Sequence, residues 1–481
     1  MTVTVDSRQD LTLEHFRRVA LGGEGVRIGP EAHRVMAAAR ESFMALLDSD
    51  RTAFIYGTTT RAGIEVGRSL EPGEQRAYAR AGRRNSSPSF GGEADLDEHV
   101  VRGIVFARLA NFVEGNAKTR PVIAERVAAL LDHPLPTLSL GGQDGPGEVV
   151  PLIRLMSGVD GDFEEGEPMA LVNGSPCAAA LAADIALASD ERLHIAEQVF
   201  ALSVDAFRAP LEAYDRALEE LWEDEHEAAA LRGLREWLAG ASEADRIGHQ
   251  APVSYRILPR VLGQAHRAVA GIEHAARVSL RSVTDNPVYL PPDEQHPLGR
   301  AFSTGGYHNG MVYPSLGALA AAWADLAFLA ERHVTAMHVG ATAGHLPRLL
   351  ERPGGSGGRT NLLGWVAGSF LEDARHAASV TLLPAGLADA QNDVAVPTFV
   401  AYRKARAAGS SLDSSLALLA ASSSQALWAT DTVPAPPLRS FVERIRSSFP
   451  PVDDPAGREL GDELAGLARD ISSAAFVSES E

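Results

Sequence analysis

Apolar residues recur at intervals of three and four over long reaches of the chain. Over residues 178–221 the run AAALAADIALASDERLHIAEQVFALSVDAFRAPLEAYDRALEEL keeps that spacing and is broken only at Pro210, which predicts long helical segments on either side. The same pattern predicts helices over 100–114, 257–280, 316–339, 361–380, 399–428 and 457–472. These runs exceed the average helix of roughly 11 residues, and several are Ala-rich on more than one face, as in a bundle whose helices are buried between neighbours. Extended signals are few, with TAFIYG at 52–57 the best strand candidate. The expected fold class is all-α, with a long helical bundle and a small mixed N-terminal part. Gly and Pro punctuate the chain at 141–147, 287–310 and 353–358. A boundary is expected near residue 200, between a glycine-loop-rich part (1–200) and the long-helix bundle (201–481). No linker separates them, so they should form one rigid unit. The acidic, Ser-containing tail VSESE reads as disordered.

Composition narrows the function classes. The 481 residues are 45% apolar, enough for a sizeable core. The net charge of −19 repels nucleic acid and anionic membrane surfaces, and the densest basic run, RAGRRNS at 80–86, is too short to reverse that. The single cysteine, Cys177, excludes an internal disulfide framework and a cysteine-built metal site. It reads as a small buried apolar residue. No secretory signal stands at the N-terminus, and the longest apolar runs, such as LGALAAAWADLAFLA, carry charges and should fall short of a membrane span. A cytoplasmic protein with no nucleic-acid, membrane or metal partner is expected.

Four loops carry an unusual density of Gly, Asn, Arg and Tyr. They are YGTTTRAG (56–63), LSLGGQDGPGEVVPLIRL (138–155), LVNGSP (171–176), and QAPVSYRILPRVLG (250–263) with SVTDNPV (282–288). In this order and spacing they resemble YGxNTGFG, the cofactor loop, LxNGT, QDxYSxRCxPQVxG and SxTDNP of the aromatic amino acid ammonia-lyases, the family of histidine ammonia-lyase. SVTDNPV is a close match to SxTDNP. The resemblance covers roughly residues 30 to 400. It implies a mostly helical homotetramer with active sites built from several subunits, in agreement with the periodicity.

The family's cofactor loop reads GSVGASGDLAPL, and its Ala-Ser-Gly cyclises to MIO, a methylidene-imidazolone electrophile. Here GDLAPL aligns with residues 147–152, so the triad falls on Gly145, Pro146 and Gly147. Cyclisation removes water across the middle residue's N–H and then the serine hydroxyl, and Pro146 has neither group. MIO is therefore expected to be absent and no other cofactor is implied. Gly355-Ser356-Gly357 is the chemically nearest alternative and Met156-Ser157-Gly158 a poorer one.

By the same resemblance the family's second catalytic tyrosine falls on Val253, which cannot move a proton. Gln391 and Asn392 stand where the family keeps a Gln-Glu or Asn-Gln pair. Tyr56 matches a tyrosine that serves as acid or base. Asn173 and Arg256 match the residues that hold a substrate carboxylate, a task suited to the two-pronged guanidinium. Asn173 could equally cap the helix expected from about residue 175. Tyr307 brings a hydroxyl where the family has phenylalanine. His308, Tyr255 and Asp144 are weaker candidates for lining the site. Glu148 replaces the family's aspartate after the triad and reads first as a carboxylate stabilised at a helix N-terminus.

Without MIO, direct deamination of His, Phe or Tyr should be negligible. The expected activity is an elimination, addition, isomerisation or cyclisation on a small carboxylate in specialised biosynthesis. Tyr56, with Tyr307, would transfer protons, and Asn173, Arg256, Gln391 and Asn392 would hold the substrate. The alternatives are a non-catalytic homologue that binds a metabolite or a partner protein, and an ordinary ammonia-lyase.

Overall fold

In the computed structural model, residues 1–81, 89, 95–244, 246–339, 346–352, 360–386, 391–454 and 457–472 are described. Most of the basic run at 80–86, the Gly355-Ser356-Gly357 alternative and the VSESE tail lie outside them. The fold is mainly helical, as the periodicity predicts. It resolves into two compact units, one of residues 1–187, 272–316 and 381–403 and the other of 188–271, 317–380 and 404–481. The chain first crosses from one unit to the other after residue 187, and residues 272–316 and 381–403 return to the first unit.

The first unit opens with two short parallel strands, β1 (Thr2–Val5) and β2 (Gly25–Ile28), joined through α1 (Leu13–Ala20). Then come α2 (Pro30–Ser49), α3 (Pro72–Ala81), α4 (Glu98–Arg108), α5 (Pro121–Ala129), α6 (Val149–Met156) and α7 (Glu167–Val172). The start of α8 (Pro176–Ala206) follows, and a hairpin of β3 (Val288–Leu290) and β4 (Arg300–Phe302) completes the unit. Proline occupies the first positions of α2 and α5, where its missing N–H costs nothing. Ala39, Phe43 and Leu47 of α2 are buried with Ile55 and Tyr289, and the Phe43 and Tyr289 rings meet edge to face at 5.6 Å.

TAFIYG is not a strand. Asp50 accepts hydrogen bonds from the Thr52 and Ala53 amides and the Thr52 hydroxyl, and the Thr59 hydroxyl accepts from the Ile55 amide. Local side-chain acceptors take up the backbone donors that a ladder would need, so the segment turns and lines the site instead.

The second unit holds the rest of α8, then α9 (Ala217–Trp222), α10 (Glu225–Trp237), α11 (Val253–Arg256) and most of α12 (Leu258–Arg281). It continues through most of α13 (Val312–Val339), α14 (Leu363–Ala377), most of α15 (Thr398–Ala429), α16 (Arg439–Ser448) and α17 (Leu460–Ile471). Partly buried charge pairs tie its helices and loops. Arg192 makes a two-pronged contact with Asp413 at 2.7 and 2.9 Å, and Arg246 meets Asp205 at 2.9 Å.

One sequence expectation is corrected here. By length and composition two helical stretches, Glu167–Ala206 and Val312–Val339, reach what a membrane span requires. Burial accounts for this at least in the first, because 83% of its apolar window lies inside the protein, against 56% in the second.

Candidate functional site

A cavity of about 1230 Å³ opens within the first unit. Its walls are the turn at 54–67, Tyr78 and Ala79 of α3, Pro146, the inward faces of α6 and α7, Asn173, Asn286, the loop 303–307, and Gln391 with Asn392. Much of the surface is apolar: Val149, Val150 and Ile153 of α6 and Met169 and Leu171 of α7 all line it. Five predicted residues meet here with Pro146: Tyr56, Asn173, Tyr307, Gln391 and Asn392.

The loop at Pro146 is held by its neighbours. Gly145 is buried and its carbonyl accepts the Val396 amide at 2.9 Å. Gly147 has φ +95°, and a β-carbon there would sit 3.1 Å from Cδ2 of Tyr307. Glycine is required at that point both by the backbone and by the ring packed on it.

Glu148 is buried, and its carboxylate accepts the Cys177 and Ala178 amides at 2.6 and 2.7 Å. It thus serves the N-terminus of α8 rather than that of its own α6. Burial pushes its pKa up to about 7, against the pull of those two amides, the Cys177 thiol and Arg108. Burial and the adjacent Glu148 push the Cys177 thiol well above its ordinary value, which keeps it an uncharged, unreactive group.

Because Glu148 takes the α8 amides, Asn173 is not the cap of that helix. Its side-chain amide donates to the Asn286 carbonyl at 2.8 Å, and its own carbonyl accepts from the buried guanidinium of Arg108. The TDNP motif ties the surrounding loops together. The Thr284 hydroxyl accepts the Ser175 amide at 2.9 Å, while the Thr284 amide donates to Asn111 at 2.8 Å. The Asn286 side chain accepts the Thr304 amide at 3.0 Å. Asp285 and Lys118, both fully buried, form an ion pair at 3.7 Å. Gly174, with φ +105°, lies so close to Asn111, Thr284 and Arg108 that any β-carbon would fall within 2.9 Å of all three.

Three phenols share the cavity, those of Tyr56, Tyr78 and Tyr307. The Tyr56 hydroxyl accepts the Gly63 amide at 2.8 Å and the Tyr78 hydroxyl accepts the Ala62 amide at 3.2 Å. Burial raises the Tyr56 pKa, opposed by the Gly63 amide and reinforced by the other two phenols. Near neutral pH it is a protonated phenol, able to donate a proton to a leaving group or developing oxyanion.

Among the described cavity-lining residues Arg61 is the one cation, and Glu65, paired to it at 2.7 Å, is the one carboxylate. Sequence reasoning did not single out Tyr78, Arg61 or Asn286. Tyr78 lies in an ordinary amphipathic helix, and Arg61 stands where the resemblance has glycine.

The other candidates lie elsewhere. Tyr255 belongs to the second unit's interior, its ring stacked on Phe207 at 4.4 Å and on His333 at 3.6 Å, and it does not line the cavity. Arg256 is exposed on α11 of that unit, with Nε donating to the Ala251 carbonyl at 3.0 Å. Asp144 is exposed beside Arg403 and accepts the Phe399 amide. His308 is not among the residues that line the cavity, and its Nε2 is shielded from solvent with no hydrogen-bond partner among the described residues. Among those residues no three His, Cys, Asp or Glu side chains gather to hold a metal ion.

The residues present do not fit MIO. The middle residue is proline, and the carbonyl that cyclisation would attack is engaged by the Val396 amide.

Known proteins place this geometry. The aromatic amino acid lyase family model matches residues 11–164 and 159–447. A histidine ammonia-lyase of Symbiobacterium thermophilum is 27% identical over 504 residues, spanning 97% of this chain and 96% of that one. The tyrosine aminomutase of Streptomyces globisporus shares the fold with a TM-score of 0.85 at 21% identity, over 99% of this chain and 98% of its own. The ergothionase of Treponema denticola does so at 0.87 and 15%, over 99% and 100%. With the family's pattern matched along most of its length, the chain belongs to the aromatic amino acid lyase family and is an enzyme of the lyase type.

Proposed function

We propose that the protein is an MIO-independent lyase or isomerase acting on a small amino-acid-derived or other carboxylate substrate. The observation that carries this reading is Pro146 itself. It lines the same cavity as Tyr56, Tyr307 and Asn173, at the loop position where the family builds its electrophile. The family uses that electrophile to make ammonia a leaving group or to activate a ring. A substrate with a better leaving group, or with a proton acidified by a neighbouring carbonyl, needs only positioned acid and base groups.

Asn173, fixed by Asn286 and Arg108, presents a rigid edge to such a substrate, with Gln391 and Asn392 on the same cavity wall. Tyr56 delivers the proton, and Tyr307, set against Gly147, is the second phenol. Arg256 lies outside the cavity of its own chain. It contributes when supplied by another copy in the homotetramer that the resemblance implies.

Intact-mass measurement tests the first half of the proposal. The chain should weigh what its sequence requires, and a mass lower by two waters, with the near-ultraviolet absorbance of an MIO ring, would overturn it. Incubating carboxylates from neighbouring biosynthetic steps in heavy water, and following C–H exchange or product by NMR, tests the second half. Turnover should vanish in Tyr56→Phe while binding persists.

A further inference from the structure

Asn173, Gln391 and Asn392 supply neutral amides, so the cavity's means of recognising a negative charge must come from elsewhere. Among the described lining residues of this chain only Arg61 is cationic. One terminal nitrogen, Nη1, meets Glu65 at 2.7 Å, and among the described residues neither Nη2 nor Nε makes a hydrogen bond. Nε is moreover shielded from water, an uncomfortable state for a guanidinium donor. The hydrogen bonds from Ala62 to Tyr78 and from Gly63 to Tyr56 fix the backbone just after Arg61, so its side chain starts from a set position at the cavity wall. The guanidinium also lies within electrostatic reach of the Tyr78 phenol. The Tyr78 oxygen already accepts the Ala62 amide, which leaves its O–H to donate.

We infer that Arg61 is a carboxylate-recognising residue of this cavity, with Tyr78 as its partner donor and Glu65 as an internal carboxylate that the ligand displaces. The inference rests on the carboxylate-substrate reading above and names the group that would deliver it. The ligand class is a monocarboxylate with an apolar body. The carboxylate meets the Arg61 terminal nitrogens and the Tyr78 hydroxyl, and the body lies against Val149, Val150 and Ile153. Glu65 holds the guanidinium in the meantime by an i,i+4 pair that is half exposed and cheap to break.

The test measures binding of phenylacetate and its uncharged counterpart phenylacetamide to the full-length protein by calorimetry. Wild type should prefer the carboxylate. Arg61→Gln should weaken phenylacetate by about tenfold or more while leaving phenylacetamide unchanged. Glu65→Gln removes the competitor and should tighten phenylacetate by about threefold with no effect on the amide. A purely structural ion pair would give losses, never that gain. If the carboxylate preference survives in Arg61→Gln, or is lost only in Arg256→Gln, the inference is overturned while the carboxylate-substrate reading stands. If wild type shows no preference for the carboxylate, both fall.

Discussion

Glu148 offers the sharpest test of how the remodelled loop is held. Its folded-state pKa of about 7 stands above the ordinary 4.5 because burial disfavours the charge more than the two α8 amides favour it. Between those values the folded protein binds the proton more tightly than the unfolded chain. The stability contributed by this group is therefore fully present below about pH 4.5 and is lost as pH rises through 7. Moving one carboxyl from 4.5 to about 7 corresponds to about 3 kcal/mol. For a chain of 481 residues that is about 3 °C in melting temperature. Glu148→Gln removes the titration but satisfies only one of the two amides at 2.6 and 2.7 Å, a fixed cost of about 1–3 kcal/mol. The assay is thermal unfolding of both proteins from pH 5 to 8.5 at constant ionic strength. Wild type should be the more stable at pH 5, and its advantage should shrink by most of that 3 °C by pH 8.5. Parallel profiles, or an advantage that grows with pH, would show that the carboxylate is not the desolvated helix partner described here.

Three further outcomes follow from other contacts. Tyr56→Phe leaves the Gly63 amide without its acceptor and should cost about 1 kcal/mol in stability, besides abolishing turnover; thermal melts read the first and the exchange assay the second. Gly147→Ala places a β-carbon 3.1 Å from the Tyr307 ring at φ +95° and should destabilise by about 1–2 kcal/mol, with an altered ring environment visible in near-ultraviolet circular dichroism. Asp205→Ala strands buried Arg246 and removes the acceptor of the Ala435 amide at 2.8 Å; chemical denaturation should register a loss of about 3–5 kcal/mol.

The helical runs were readable because apolar spacing of three and four leaves few other ways to bury so many alanines and leucines. The runs expected at 257–280 and 399–428 appear as Leu258–Arg281 and Thr398–Ala429. The block at MIO formation was equally legible, since it depends on covalent structure: proline has no amide hydrogen and no hydroxyl in any fold. Motif order also led correctly to the family. What the linear chain could not express was which side of each residue faces the cavity. Tyr255 and Arg256 are adjacent in sequence, yet one is stacked in an interior and the other exposed, because successive helical residues point about 100° apart. Glu148 and Cys177 are 29 positions apart and meet only because the fold brings α6 to the start of α8. Tyr78 and Arg61 carried no signal of their own in the sequence; the amides of Ala62 and Gly63 place the Tyr78 and Tyr56 phenols beside them. Local composition thus determined the helical elements, and the covalent structure of Pro146 is what predicts that MIO is absent. Tertiary structure alone decided which candidates line the cavity and which further polar groups, Tyr78, Arg61 and Asn286, join them, because burial and hydrogen-bond geometry depend on contacts between residues far apart in the chain.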